Sequence, residues 1–271
     1  MNPPSRSVPP APRWSIALPG STDHDLVCVL APHLERLGFR SLWLNDTPEA
    51  EALPALARVA DVTSSLRLIA GLASAEGRML DRIDFGGLPA DRLVLVTGSM
   101  FAARPIVYVA NGIAALRART TAPLLVASMS RQMTELAARA ADGVALSWHT
   151  PDTATPALAH ALDAYRRLGS PLGSAPSEFR RMLFVGAAID AAAFPALEAE
   201  ANAVAALPVV DAHLQRLGLK ATQTLALSAP TLCAYRGMDE LVIRAMTAHG
   251  TLAELIDFAE QLAEWRSLPA T

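Results

Sequence analysis

Short apolar runs alternate with alanine- and leucine-rich helical stretches along the chain from Trp14 onward. Because the runs are almost uninterrupted by polar residues, they resemble parallel strands that are buried on both faces. Strands that alternate with helices predict right-handed crossovers and a parallel sheet. The candidate strands are WSIAL (14–18), SLWLN (41–45), LRLIAGL (66–72), LVLVTG (93–98), PLLVAS (123–128), GVALSW (143–148), RMLFVGAAI (181–189) and ELVIRA (240–245).

The predicted helices lie between these strands, and glycines follow two of them. The glycines of LGF (Gly38) and DGV (Gly143) stand where a helix should end and a strand begin. Eight strands in 271 residues favour a single-domain (β/α)8 barrel. A doubly wound sheet is the runner-up, although no GxGxxG follows the first strand. The helical ranges are 26–37, 50–63, 104–118, 131–141, 156–168 and 251–265, and segment 190–238 is the weakest part of the assignment.

Composition excludes several classes of function. A net charge of -3 and a pI near 6.1 give no attraction to nucleic acid or an anionic membrane. Lys220 is the single lysine, so chemistry through a lysine Schiff base is disfavoured. Cys28 and Cys233 lack CxxC spacing and are expected to be reduced thiols in a cytoplasmic protein. The six histidines show no metal-binding spacing, so no metal site is predicted.

The first residues form a proline-rich segment without the apolar core of a signal peptide. We therefore expect a disordered tail over residues 1–13 and one domain over 14–271. The sequence contains no apolar run long enough to cross a bilayer, so the expectation is a soluble protein without a membrane partner.

The candidate site follows from the fold, because barrel enzymes build their sites from the loops after the strand C-termini. Polar and small residues occupy those positions. They are Asp46 after the second strand, residues 73, 74 and 76 after the third, Thr97, Gly98 and Ser99 after the fourth, Ser128, Met129, Ser130 and Arg131 after the fifth, Trp148 and His149 after the sixth, and Asp190 after the seventh.

The corner after the fifth strand is suited to a phosphate. Ser130 is a good N-cap, the helix dipole is positive there, and Arg131 supplies a counter-charge. Gly98 would let a ligand approach the backbone, and Trp148 offers a flat apolar surface. These residue types together favour a phosphorylated, ring-bearing cofactor. Each has a simpler interpretation as a cap or a packing residue, and Asp46 could cap the following helix.

Several segments resemble the bacterial-luciferase-like family, which includes F-420-dependent oxidoreductases. The second-strand segment is GFRSLWLND, and ALPALARVADVTSSLRLIAGLAS is similar to the following helix and third strand. FGGLPADRLVLVTGSM resembles the fourth-strand entry, and PLLVASMSRQMTELAARAADGVALSW resembles strands five and six. The likeness covers most of residues 14–150, while GMDELVIRAMTAHGTLAELIDFAEQL is a looser match.

The resemblance implies a barrel that binds FMN or the deazaflavin coenzyme F-420 in its mouth. It also implies a non-proline cis peptide at residues 72–74 and, as in many members, a homodimer. The chain departs from the family at Thr47, where many members have histidine, and its segment 100–122 is short. The implied cofactor-binding residues are Gly71, Leu72, Ala73, Thr97, Gly98, Ser99, Ser128, Met129, Ser130, Arg131, Gln132, Met133 and Trp148.

The predicted function is hydride transfer or monooxygenation of a small organic substrate with F-420 or FMN. Asp46 and His149 are the candidate catalytic residues, because a carboxylate and a histidine can handle protons. Two alternatives stay open. One is a non-catalytic relative that acts in binding or dimerisation. The other is a barrel enzyme for a phosphorylated metabolite that uses no redox cofactor.

Overall fold

A computed structural model shows a closed barrel of eight parallel strands in sequence order, and it describes residues 11–47, 49–72, 83–168 and 179–267. The barrel closes because β1 pairs with β8 as well as with β2. This closure confirms the predicted (β/α)8 fold and excludes the doubly wound sheet. The strands are β1 (Arg13–Pro19), β2 (Ser41–Asn45), β3 (Arg67–Leu72), β4 (Leu93–Thr97), β5 (Leu124–Ser128), β6 (Gly143–Ser147), β7 (Arg180–Ala188) and β8 (Glu240–Met246).

The helices surround the barrel and agree with the predicted ranges, with one shift. The fifth helix begins at Pro151 rather than at Pro156, because Thr150 and Thr153 form its N-terminal hydrogen bonds and Pro151 suits the first turn. The helices are α1 (His24–Arg36), α2 (Ala52–Val62), α3 (Pro105–Arg117), α4 (Arg131–Ala140), α5 (Pro151–Leu168), α6 (Phe194–Ala205), α7 (Pro208–Leu217), α8 (Ala229–Ala234) and α9 (Leu252–Arg266).

The two glycines expected at helix ends have different roles. Gly38 follows α1 with φ 76°, a left-handed conformation that favours glycine. Gly143 lies inside β6, and a Cβ there would be 2.3 Å from the carbonyl oxygen of Arg180. Gly143 therefore permits the close approach of β6 and β7. As predicted, α4 ends shortly before it and β6 begins at it, but the helix cap itself is Ala141.

Apolar side chains fill both faces of the sheet, as the continuous strand runs predict. One cluster lies between the strands and the outer helices and includes Leu42, Leu68 and Leu124. A second cluster fills the barrel interior and includes Trp43 and Met182. The alternation of strand side chains places these sets on opposite faces.

The N-terminal end of the barrel carries a buried polar group. The carboxylate of Glu240 accepts hydrogen bonds from Ser15 Oγ at 2.5 Å and Ser41 Oγ at 2.6 Å. Burial and the neighbouring charge of Arg180 lower the pKa of Arg67 to about 10, while the charge of Glu240 opposes that shift. Glu240 is thus the counter-charge for arginines at this end.

The segment between β7 and β8 forms a separate apolar layer over the barrel mouth. Its helices α6 and α7 pack with Trp148 and Met129 in a cluster of their own. No single helix among the described residues is long and apolar enough to cross a membrane. In the described part of the chain, one pair of helices, α6 with the short turn before it and α7, is long and apolar enough when taken together, but the pair is bent by 101°.

Candidate functional site

A cavity of about 370 Å³ opens at the carboxyl ends of the strands. Its volume lies in the range of small-molecule sites. Eight of the predicted site residues line it. They are Asp46, Gly71, Leu72, Gly98, Ser99, Ser128, Met129 and Trp148. Ala73 and the predicted cis peptide fall in segment 73–82, outside the described residues.

Aromatic rings form much of the apolar wall. Trp43 of β2 and Phe184 of β7 meet edge to face, with ring centroids 5.5 Å apart. Trp148 follows β6 and has φ 62°, the one left-handed non-glycine residue among those the structure describes. A bulky residue in this region costs about 1 to 3 kcal/mol, and such strain occurs preferentially at functional sites.

The end of β2 places an amide in the cavity wall. Trp43 Nε1 donates to Asn45 Oδ1 at 2.6 Å, so the NH₂ group of Asn45 is the donor left for a ligand. Gly71 makes this arrangement possible, because a Cβ there would be 2.1 Å from Asn45 Oδ1. Gly98 has a similar packing role, since its Cβ would be 2.9 Å from the Cβ of Ala127.

Asp46 has two roles in the structure. It lines the cavity, and its Oδ1 accepts from the backbone N–H of Ala52 at 2.8 Å, at the start of α2. The prediction that Asp46 caps the following helix is therefore confirmed. The same bond fixes the carboxylate at the cavity edge.

The corner after β5 is ordered by serine and threonine hydroxyls. Ser130 caps α4 by accepting from the N–H of Met133 at 3.2 Å, as its position predicts. The buried Ser128 hydroxyl donates to the Ser130 carbonyl at 3.0 Å and lies 2.9 Å from Thr134 Oγ1. Met129 lines the cavity and α4 begins two residues later, so the first-turn N–H groups of α4, which can stabilise an anion, follow the cavity wall closely in sequence.

Six predicted residues are not in the cavity wall. The side chain of Arg131 is 73% exposed and pairs with Glu135 at 3.2 Å, and Gln132 is also exposed. Thr97 lies between the inward-facing Val96 and Gly98 and so points outward. The others are Ser130, Met133 and His149.

Two side chains of α7 hold the strand ends in place behind the cavity. Arg216 donates to the Met129 carbonyl at 2.8 Å and lies 3.2 Å from His213 Nδ1. A guanidinium only donates, so His213 Nδ1 accepts, and Nε2 donates to the Trp148 carbonyl at 3.2 Å. Burial lowers the pKa of His213, consistent with its neutral form. These bonds support the strained backbone of Trp148.

His149 belongs to this supporting layer rather than to the mouth. Its ring is buried, meets the His213 ring at 4.9 Å and lies 3.2 Å from Thr153 Oγ1. Burial, together with the nearby His213 and Arg216, lowers its pKa to about 4. His149 is not among the residues that line the cavity.

Arg244 and Glu200 line the cavity, and neither was among the residues predicted from the strand ends. Arg244 Nη2 pairs with Glu200 Oε2 at 3.1 Å, which connects β8 to α6. The signal was a lone arginine within the apolar run ELVIRA, on the same face as Val242. Glu200 lies in segment 190–238, which contains no predicted strand, so reasoning from strand ends could not assign it to the site.

The structure is a (β/α)8 barrel with a cavity at its mouth whose volume is typical of small-molecule sites. No protein-family model matches the sequence, and no curated protein matches it. Solved structures with the same fold include F-420-dependent enzymes and monooxygenases, at 16% identity or less in the examples below.

Three of these similar structures match over almost their whole length. Monooxygenase RslO1 from Streptomyces bottropensis has a TM-score of 0.67 at 16% identity, with 93% of this chain and 98% of that chain covered. Coenzyme F420-dependent tetrahydromethanopterin reductase from Methanopyrus kandleri has a TM-score of 0.64 at 14% identity, with 91% of this chain and 97% of that chain covered. EDTA monooxygenase from Chelativorans sp. BNC1 has 0.65 at 12%, with 97% and 96% covered. At these identities the likeness establishes the fold.

Proposed function

We propose that the chain is an oxidoreductase that uses F-420 or FMN to transfer hydride to, or to oxygenate, a small organic substrate in the barrel mouth. The observation that carries the proposal is the aromatic cavity of Trp43, Phe184 and the strained Trp148. The enzymes and monooxygenases that share the fold support the same class of activity.

The described residues fit such a cofactor. Apolar and aromatic walls suit a flat ring, and the NH₂ group of Asn45 can donate to a ring carbonyl. The N-terminus of α4, capped by Ser130, suits the phosphate, with the exposed Arg131 as a counter-charge. When bound, the cofactor supplies hydride transfer or, as a flavin, oxygen activation.

The protein would position the reactants and control protons. Helix α6 covers the cavity with Leu197, Ala201 and Val204 and so limits the access of water. Asp46 replaces His149 as the proton-handling candidate, because it lines the cavity and is fixed by Ala52. The backbone of Trp148 is held by His213, and its side chain would help to hold the cofactor ring.

Parallel fluorescence titrations with FMN and with F-420 test the proposal. We expect saturable binding of one cofactor in the micromolar range, and about tenfold weaker binding after Trp148→Ala. Trp265→Phe is the control, because Trp265 lies on α9 and is not part of the cavity wall. Binding of neither cofactor would contradict the proposal and favour the non-catalytic or phosphometabolite alternatives.

A further inference from the structure

Arg244 is a cation inside a mainly apolar cavity. It extends from the inward face of β8, and its side chain is only 15% exposed. Among the described residues that line the cavity, Arg244 is the only one with a cationic side chain. Burial lowers its pKa, and the charge of Glu200 opposes that shift.

The protein partners of Arg244 leave it able to bind a ligand. Nη1 donates to the carbonyl of Ala245, and Nη2 pairs with Glu200, which is two of the five N–H groups of a guanidinium. The Glu200 carboxylate is 42% exposed on α6. Because Glu200 is partly exposed, it can turn to water when another carboxylate takes its place, and the buried guanidinium then stays paired.

The position of Arg244 separates it from the expected phosphate site. Strands β6 and β7 lie between β8 and β5 in the barrel, and the capped start of α4 follows β5. Met129, which precedes α4, and Arg244 line the same cavity. A phosphate held at the start of α4 would therefore leave the Arg244 guanidinium available for a second molecule in that cavity.

We propose that Arg244 binds a carboxylate of the substrate, so that the substrates are small organic acids with an apolar body. The inference rests on the proposed function, because it assigns the substrate of that same site. A monoanion fits better than a phosphate dianion, since Arg244 is accompanied by the negative Glu200. Phe184 and Leu197 supply apolar contacts for the rest of such an acid.

The test compares acids with their own amides as ligands of the cofactor-loaded protein, by isothermal titration calorimetry. The probes are hexanoate, octanoate and phenylacetate, each with the matching amide. We expect the acid of at least one pair to bind about tenfold more tightly than its amide. Arg244→Gln should abolish that preference, and Glu200→Gln should increase it by removing the competing carboxylate.

The control variants show whether a change is specific. Arg139→Gln changes an exposed arginine on α4 and should keep the preference for acids. Arg244→Lys keeps the charge but loses the paired N–H groups, and it should retain part of the preference. Circular dichroism verifies the fold of each variant. Equal binding of acid and amide by the wild type, or an unchanged preference in Arg244→Gln, would overturn the inference.

Cofactor titrations of the same variants separate this inference from the proposed function. Arg244→Gln should bind FMN or F-420 as the wild type does. Weaker cofactor binding in Arg244→Gln would show that Arg244 holds the cofactor, which overturns the inference and leaves the proposed function standing. If neither cofactor binds, the proposed function fails, and titration of acids and amides into the unliganded protein still decides whether Arg244 selects carboxylates.

Discussion

The two ends of the barrel interior both contain charged side chains, but in different settings. At the N-terminal end, Glu240 is buried and accepts from Ser15 and Ser41. At the mouth, Arg244 lies in an open cavity and pairs with the half-exposed Glu200. At the N-terminal end the Glu240 carboxylate is held by two hydroxyls of the protein, while Arg180 Nη1 and Arg40 Nε nearby are buried without a hydrogen-bond partner among the described residues. The arrangement at the mouth leaves hydrogen-bonding capacity for a ligand.

This contrast predicts that charge at the N-terminal end maintains stability and charge at the mouth serves binding. Removal of one partner from a buried charge network leaves the others uncompensated, which is costly. Removal of Arg244 leaves only Glu200 without its partner, and since that carboxylate is 42% exposed to water, the loss should cost the fold less. Substitutions at the two ends should therefore affect different measurements.

The largest effect is expected for Glu240→Gln. The amide keeps an acceptor for Ser15 and Ser41 but removes the negative charge near Arg67 and Arg180. We expect the free energy of unfolding to fall by about 3 kcal/mol, measured by urea denaturation. Glu264→Gln, on the exposed face of α9, should change it by less than about 0.5 kcal/mol. A similar loss of unfolding free energy in both variants would contradict the stabilising role proposed for charge at the N-terminal end.

His149 should make stability depend on pH at the mouth end. Its folded pKa of about 4 is below the ordinary value of 6.5, so the unfolded chain binds the proton more readily. The stabilisation is therefore complete above about pH 6.5 and decreases as the pH falls toward 4. From about pH 7 to about pH 5, this single group should cost about 2 kcal/mol of unfolding free energy.

His149→Gln tests this dependence. Over the same pH interval, the free energy of unfolding of the variant should fall by about 2 kcal/mol less than that of the wild type, measured by urea denaturation at each pH. His24→Gln, on the outer helix α1, is the matched control and should follow the wild type. If the unfolding free energy of His149→Gln depends on pH as that of the wild type does, the His149 ring of the wild type is not buried in its neutral form.

The sequence predicted the framework of both ends but not the direction of every side chain. Strand positions followed from apolar runs, and the Ser130 cap followed from its place before α4. The position of His149 did not, because its ring packs against His213 of α7, a contact that depends on the assembled fold. Glu200 could not be placed either, since its contact with Arg244 joins an insertion helix to a distant strand. Local patterns give strand ends, whereas contacts across the mouth depend on the assembled barrel.

Arg131→Ala should have the smallest effect on the fold and a measurable effect on binding. Its side chain is 73% exposed and pairs with Glu135 four residues later, an arrangement that contributes at most about 0.5 kcal/mol. If the cofactor phosphate lies at the start of α4, loss of the guanidinium should weaken cofactor binding by about 1 kcal/mol. Fluorescence titration measures the second quantity, and urea denaturation measures the first.

The matched variant for this comparison is Arg139→Ala, which removes an exposed arginine from the last turn of the same helix. It should leave cofactor affinity unchanged, because it is about two turns from the phosphate position. Unaltered affinity in Arg131→Ala as well would contradict the phosphate position at α4. A large loss of stability in Arg131→Ala would instead contradict the contrast between the two ends. Charge at the mouth would then maintain the fold as well as serve binding.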